Sequence, residues 1–219
     1  MNIFDIIGPV MIGPSSSHTA GAVRIGRVSW KILGEQVAKA EIGLSGSFAM
    51  THKGHGTDKA LIAGILGMKP DDDRIPRSLE IAEESGLSYK FSEVKISRAH
   101  PNTALLNLTG VNGAKCIVQG ASIGGGNILI TKLNGMESAF TGEQDTLIIA
   151  HNDVPGMIAL VSTHLALSGA NIGNFRLYRP HKGFQAIMTI ELDGSVTKPV
   201  VDSLRALPDV ISVVYMRVN

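Results

Sequence analysis

The sequence predicts an α+β protein in two parts, and three observations carry that prediction. From Thr146 onward the periodicities run strand, helix, strand, strand, helix, strand. In the N-terminal part, a polar glycine-rich loop twice leads straight into an apolar helical run. Between the two parts, after the turn signal Asn134-Gly135, residues 136–144 lose the strand alternation. The expected domains are therefore 1–140 and 145–219, each long enough to bury its own core.

The first loop is Gly13-Pro14-Ser15-Ser16-Ser17-His18-Thr19. Three hydroxyls, an imidazole and a fourth hydroxyl make a poor core segment, because each buried polar group needs a partner. Behind them Val23, Arg27 and Trp30, with Val28 and Ile32 beside them, recur at helical spacing over 20–33 and place a helix start near Ser17. Backbone N–H groups, serine hydroxyls and the positive end of the helix dipole would converge there, which suits a carboxylate or a phosphate. The plainer alternative is one capping serine with its neighbours solvated. No Gly-Lys-Ser/Thr ending follows, so this is not a nucleotide P-loop.

Residues 38–44 form the next expected strand, ended by Ser45-Gly46-Ser47. The second polar loop, Thr51-His52-Lys53-Gly54-His55-Gly56-Thr57-Asp58, precedes a helix over 59–66 with Gly67 as its stop. Glycine on both sides leaves the His55 imidazole exposed and lets a ligand approach, although a histidine on a mobile loop is an equally good reading of the residues alone. Thr57 and Asp58 are candidate N-caps. Asp71-Asp72-Asp73 lacks the alternation of a calcium loop and is expected to be a solvated connection. A helix over 78–85 and a strand over 93–97 lead to a third polar loop, Arg98-Ala99-His100-Pro101-Asn102-Thr103. Strands over 105–108 and 115–119 are expected to make a hairpin, with Cys116 on a core-facing side of the second. Gly120-Ala121-Ser122-Ile123-Gly124-Gly125-Gly126 is not a dinucleotide fingerprint, because a strand rather than a helix follows it at 127–131. It is expected to be a loop passing tightly between strands.

In the tail the strands are expected at 146–150, 172–179, 184–192 and 210–217, and the helices at 154–168 and 197–206. This is the ferredoxin-like βαββαβ order, with both helices on one face of the sheet.

Composition excludes several classes. A hydrophobic content of 44% with 18% charged residues describes a globular chain. A net charge of +1 gives no reason to expect nucleic acid or an anionic membrane as partner. No apolar stretch is long enough to span a bilayer. Residues 1–5 lack the basic and apolar parts of a leader, so the expected location is the cytoplasm. One cysteine rules out an internal disulfide and cannot hold an iron-sulfur cluster, so no metal site is expected in this chain.

The motifs Gly13-Pro14-Ser15-Ser16-Ser17-His18-Thr19, Lys53-Gly54-His55-Gly56-Thr57-Asp58, His100-Pro101-Asn102-Thr103 and Ile123-Gly124-Gly125-Gly126 closely resemble the β chain of bacterial iron-sulfur-dependent L-serine dehydratase. The tail, with Asp153-Val154-Pro155-Gly156 and Ala170-Asn171-Ile172, resembles an ACT domain, a small amino-acid-sensing module. Together these resemblances cover nearly the whole chain. They imply a lyase of amino-acid catabolism and gluconeogenesis that converts L-serine to pyruvate and ammonia, with a 4Fe-4S cluster on a separate α chain and no pyridoxal phosphate. They leave a monovalent-cation requirement open.

Carried over residue by residue, the resemblance makes His55, Asp58 and His18 the candidate catalytic residues. Ser15, Ser16, Ser17, Thr19, Thr57, His100 and Asn102 become candidates for substrate binding. In the ACT-like tail His151, Asp153 and Asn171 are the effector candidates, with the loop after the first strand, which holds His151 and Asp153, expected to face the start of the next strand at Asn171. In serine-sensing relatives the position of Asp153 is more often an amide, and a homodimer through the tail is the expected assembly. The N-terminal part also resembles the serine-binding regulatory domain of some phosphoglycerate dehydrogenases, so a non-catalytic amino-acid-binding regulatory protein is the alternative. An assembly scaffold that holds the α chain without touching substrate is a third.

Overall fold

In the computed structural model, which describes residues 10–218, the first helix begins later than its apolar pattern. Residues 1–5, read above for a leader, lie outside the described range. Ser16–Gly21 forms a π-helical turn capped by Ser15, and α1 (Ala22–Leu33) follows, burying Val23, Ile25, Val28 and Ile32. The helical turn thus starts at Ser16, beside the expected Ser17, and Ser15 is the capping serine. Its extended backbone lets the Ser15 hydroxyl accept from the His18 amide while the Thr19 amide donates to the Ser15 carbonyl.

The chain divides between Gly135 and Met136 into two units. In the first unit, β1 (Val37–Ser45) leads through α2 (Ser47–Thr51), α3 (Thr57–Ile65) and α4 (Ser78–Glu84) to β2 (Ser88–Glu93). The meander β3 (Thr103–Gly110), β4 (Lys115–Gly124) and β5 (Asn127–Leu133) follows. Strand order within this unit is β2-β1-β3-β4-β5, with β2 parallel to β1 and the other neighbours antiparallel. Ile42, Leu44, Leu106, Leu108, Val118 and Ile130 of the sheet, with Ile25, Leu61 and Ile62 of the helices, are almost wholly buried. Helices α1 and α3 touch backbone to backbone. A Cβ on Gly26 would lie 2.3 Å from the Leu61 carbonyl oxygen, and one on Gly64 would lie 2.1 Å from that of Val23.

Three expectations are corrected here. The strand expected at 93–97 lies at Ser88–Glu93, because Tyr89 and Phe91 align with Ala40 and Ile42 of β1. The segment 120–126 is not a loop. Strand β4 runs on to Gly124, and only Gly124, Gly125 and Gly126, all at positive φ, make the turn into β5. Helix α3 is capped by the Gly56 backbone, with no side-chain cap from Thr57 or Asp58.

The second unit begins with β6 (Met136–Phe140), where the alternation was expected to lapse. It continues as β7 (Asp145–Asn152), α5 (Met157–Leu167), β8 (Ile172–Tyr178), β9 (Gln185–Leu192), α6 (Lys198–Arg205) and β10 (Val210–Met216). From β7 onward the order is βαββαβ, in an antiparallel sheet of order β10-β7-β9-β8. Helix α5 starts at Met157 and not at 154, after Gly156 in the left-handed region. One sheet face, carrying Leu147, Ile149, Met188, Ile190 and Val213, packs with Met157, Val161 and Leu165 of α5 and Val201 and Leu204 of α6 into a single core. On the other face Glu191 is buried and its carboxylate accepts from the Thr141 amide (3.1 Å), the Thr141 hydroxyl (3.2 Å) and Asn174 Nδ2 (2.7 Å). That cluster ties the chain just beyond β6 onto the sheet. The mixture of helix and strand in both units makes the class α+β.

Candidate active site

Sheet register brings three chain segments to one end of the first unit. Ser45 at the end of β1 pairs with Thr103 at the start of β3, and Thr103 pairs with Ala121 late in β4. The third polar loop packs onto the turn between β1 and α2 because Gly46 has no side chain: a Cβ there would stand 2.6 Å from the Pro101 carbonyl oxygen. The Phe48 amide donates to that oxygen at 3.4 Å, and the Ser122 amide donates to the Asn102 carbonyl at 2.9 Å. Ser122 in turn lies against Gly21, where a Cβ would meet its hydroxyl at 2.1 Å.

His18 stands where these segments meet. Its Nδ1 lies 3.4 Å from Ser15 Oγ and its Nε2 lies 3.2 Å from Ser47 Oγ. A hydroxyl can donate or accept, so the pair accommodates either neutral tautomer. The ring packs edge-on against Phe48 (centroids 5.3 Å) and against His55 (4.9 Å, planes at 87°). Burial lowers the His18 pKa below its ordinary value, and the charge of a protonated His55 lowers it further. His55 itself is exposed, on a loop where its amide donates to the Thr51 carbonyl.

Other expected residues hold varied positions. Thr19 and Thr57 are buried, and their hydroxyls have no hydrogen-bond partner among the described residues; the Ser122 hydroxyl is in the same state. Buried hydroxyls are normally paired, so three without partners beside one sheet end mark unused bonding capacity. Ser16 and Ser17 are half-buried in the π-helical turn. Asp58 turns back on its own helix, accepting from the Lys59 amide at 2.8 Å. His100 is exposed and its Nδ1 accepts from the Asn102 amide (3.1 Å), which makes it a brace of its own turn. Sequence reasoning passed over Ser47, Phe48 and Ser122, which touch or flank the histidine pair. Their one signal was position, directly beside Gly46 and the glycine-rich segment.

In the second unit the effector candidates do not converge within one chain. Strands β7 and β8 are both antiparallel to β9, so they point the same way. Asp153 follows the end of β7, whereas Asn171 precedes the start of β8 and donates to Asp193. The expectation that these residues face each other is thus corrected. Asp153 accepts from the Gly183 amide (2.9 Å) and from Arg179 (3.0 Å), and these contacts hold its carboxyl below the usual range. His151 is buried, with Nδ1 2.7 Å from the Asn152 carbonyl oxygen and Nε2 without a partner among the described residues.

The donor set does not fit a cluster. Cys116 is buried in the core with its Sγ–H directed at the Ser29 carbonyl oxygen (3.8 Å), and burial pushes its thiol up to about 12. Among the described residues no group of three or more His, Cys, Asp and Glu could hold a metal ion.

The first unit of this α+β protein thus gathers two histidines and several hydroxyls from separate loops at one end of its sheet. The serine dehydratase β-chain family model matches residues 2–132. The chain is 44% identical over 212 residues to the probable L-serine dehydratase β chain of Bacillus subtilis, covering 97% of this chain and 96% of that one. It is 41% identical to the L-serine dehydratase β chain of Peptoniphilus asaccharolyticus over 204 residues, 93% and 90% of the two chains. A more distant similarity, 27% over 195 residues, is to the D-3-phosphoglycerate dehydrogenase of Bacillus subtilis, covering 88% of this chain and 36% of that enzyme. The chain belongs to the serine dehydratase β-chain family.

Proposed function

We propose that this chain is the β subunit of an L-serine ammonia-lyase, in which L-serine loses water to give 2-aminoacrylate and the imine tautomer of that product takes a water back to release ammonia and pyruvate. The observation that carries the reading is the perpendicular His18–His55 pair, one ring fixed between two serines and the other exposed, in a chain of this family. The β-chain naming of the relatives implies an α partner, and we assign the 4Fe-4S cluster to that partner because Cys116, the one cysteine of this sequence, is sealed in the core. When bound, the cluster supplies Lewis acidity toward the serine hydroxyl.

The residues of this chain then have distinct tasks. His55 meets substrate and exchanges a proton with it, or orients it. His18, neutral and braced by Ser15 and Ser47, fixes the neighbouring ring. Hydroxyls of the π-helical turn, Ser16 and Ser17 among them, hold the substrate carboxylate beside the first backbone amides of the helix. Asp58, Thr57, Thr19, His100 and Asn102 support the wall. The second unit we assign as an ACT domain that pairs two copies through an exposed sheet edge, strand β8 or β10. In a two-fold arrangement along β8 one copy's Asn171 would approach the other's Asp153, which the single chain keeps apart.

Co-purification with the α chain under anaerobic conditions, followed by pyruvate formation from L-serine, tests the reading. Activity is expected only from the mixture. Serine deamination by the 219-residue chain alone, or none from the reconstituted pair, would overturn it. The similarity to phosphoglycerate dehydrogenase favours a second reading, an amino-acid-binding regulatory subunit, which predicts serine binding by the isolated chain without any α-dependent turnover.

A further inference from the structure

The sheet face of the second unit turned away from α5 and α6 carries a cavity of about 260 Å³ between β6 and strands β8 and β9. Register explains its lining. Arg176 pairs with Thr189 and Tyr178 with Ile187, so these four side chains share the face that the helical core leaves free. Strand β6 supplies the opposite wall through Glu137 and Ser138. The Ser138 hydroxyl is buried and has no hydrogen-bond partner among the described residues. Arg176 and Glu137 line the same space, yet among the described residues neither forms an ion pair with the other or with any other group. Close by, the Glu191 carboxylate is held by its three donors and acts as a fixed negative neighbour.

We infer that this cavity binds a small α-amino acid, at a site separate from His151, Asp153 and Asn171. A zwitterion answers both unpaired charges without adding net charge: its carboxylate goes to the Arg176 guanidinium and the Ser138 and Tyr178 hydroxyls, its ammonium to Glu137. A simple anion would leave Glu137 unanswered and would face Glu191 as well. The volume admits a short side chain, and Ile187 offers it an apolar wall.

Calorimetry on the full chain, with glycine, L-alanine and L-valine as probes, tests the site without turnover. Saturable one-to-one binding of at least one of them is expected. Propionate and ethylamine, each carrying one of the two charges, should bind about tenfold more weakly or worse, the range for losing a charge-assisted hydrogen bond. Arg176 is exposed, so Arg176→Gln should fold normally and should weaken binding by a similar factor; Glu137→Gln should do likewise, and His18→Ala should leave it unchanged. Failure of all three probes to bind, affinity unchanged by Arg176→Gln, propionate binding as tightly as alanine, or loss of binding in a folded His18→Ala chain would each overturn the inference. The measurement needs no α chain, so it fails independently of the proposed lyase role.

Discussion

His18 has both ring nitrogens within reach of hydroxyls, while His55 beside it faces solvent, and on this difference rests the proposal that one positions and the other exchanges a proton. In the reconstituted enzyme His55→Ala is expected to lower kcat by about two orders of magnitude, the range for a positioned proton-transfer group, with full activity placing the residue outside the site. Ser16→Ala is expected to raise KM and spare kcat if the turn grips the carboxylate equally in ground and transition states. The lowered pKa of His18 has a consequence for stability. Below its ordinary 6.5 the unfolded chain takes up this proton more readily than the folded one, so stability is full above that pH and declines as pH falls through the lowered value. A His18→Asn chain should show a shallower loss of Tm between about pH 7 and 5 than the parent, by scanning calorimetry. An identical slope would mean that His18 is as easily protonated folded as unfolded.

Among elements, the α1–α3 contact holds the two histidine-bearing loops together, because each helix presents a glycine to the other's backbone. Gly64→Ala should overpack that contact and destabilise the chain by about 1–3 kcal/mol in denaturant titration; a change within error would show that the helices can separate at no cost. Much of this level was legible in the sequence. The apolar stripe of α1 and the meander from β3 to β5 follow from local periodicity, which tertiary contacts reinforce. Strand β2 was misplaced because Val94 and Ile96 alternate as well as Tyr89 and Phe91 do, and only pairing with β1 decides between them. The histidine loops were legible because glycines flank exposed polar groups. Ser47 and Ser122 were not, since a lone serine at a strand end has no meaning until distant segments close over it. The Asp153–Asn171 pairing failed because strand direction is a property of the whole sheet.

For the molecule as a whole, the chain forms two compact units, and the second carries a core of its own. Removing residues 145–219 from the assembled enzyme is expected to halve its mass in light scattering, if the tail pairs two copies through a sheet edge. An unchanged mass would put the dimer contact elsewhere. Cys116 bears on how the two subunits age. Its sulfur is sealed in the core and un-ionised, so it offers neither the access nor the thiolate that oxidants and alkylating agents require. This chain left for days in aerated buffer should keep Cys116 as a free thiol and restore full turnover to a freshly prepared partner. If the partner carries the cluster as proposed, the perishable component of the enzyme is that subunit, and a cell recovering from oxidative damage could replace that half and keep this one.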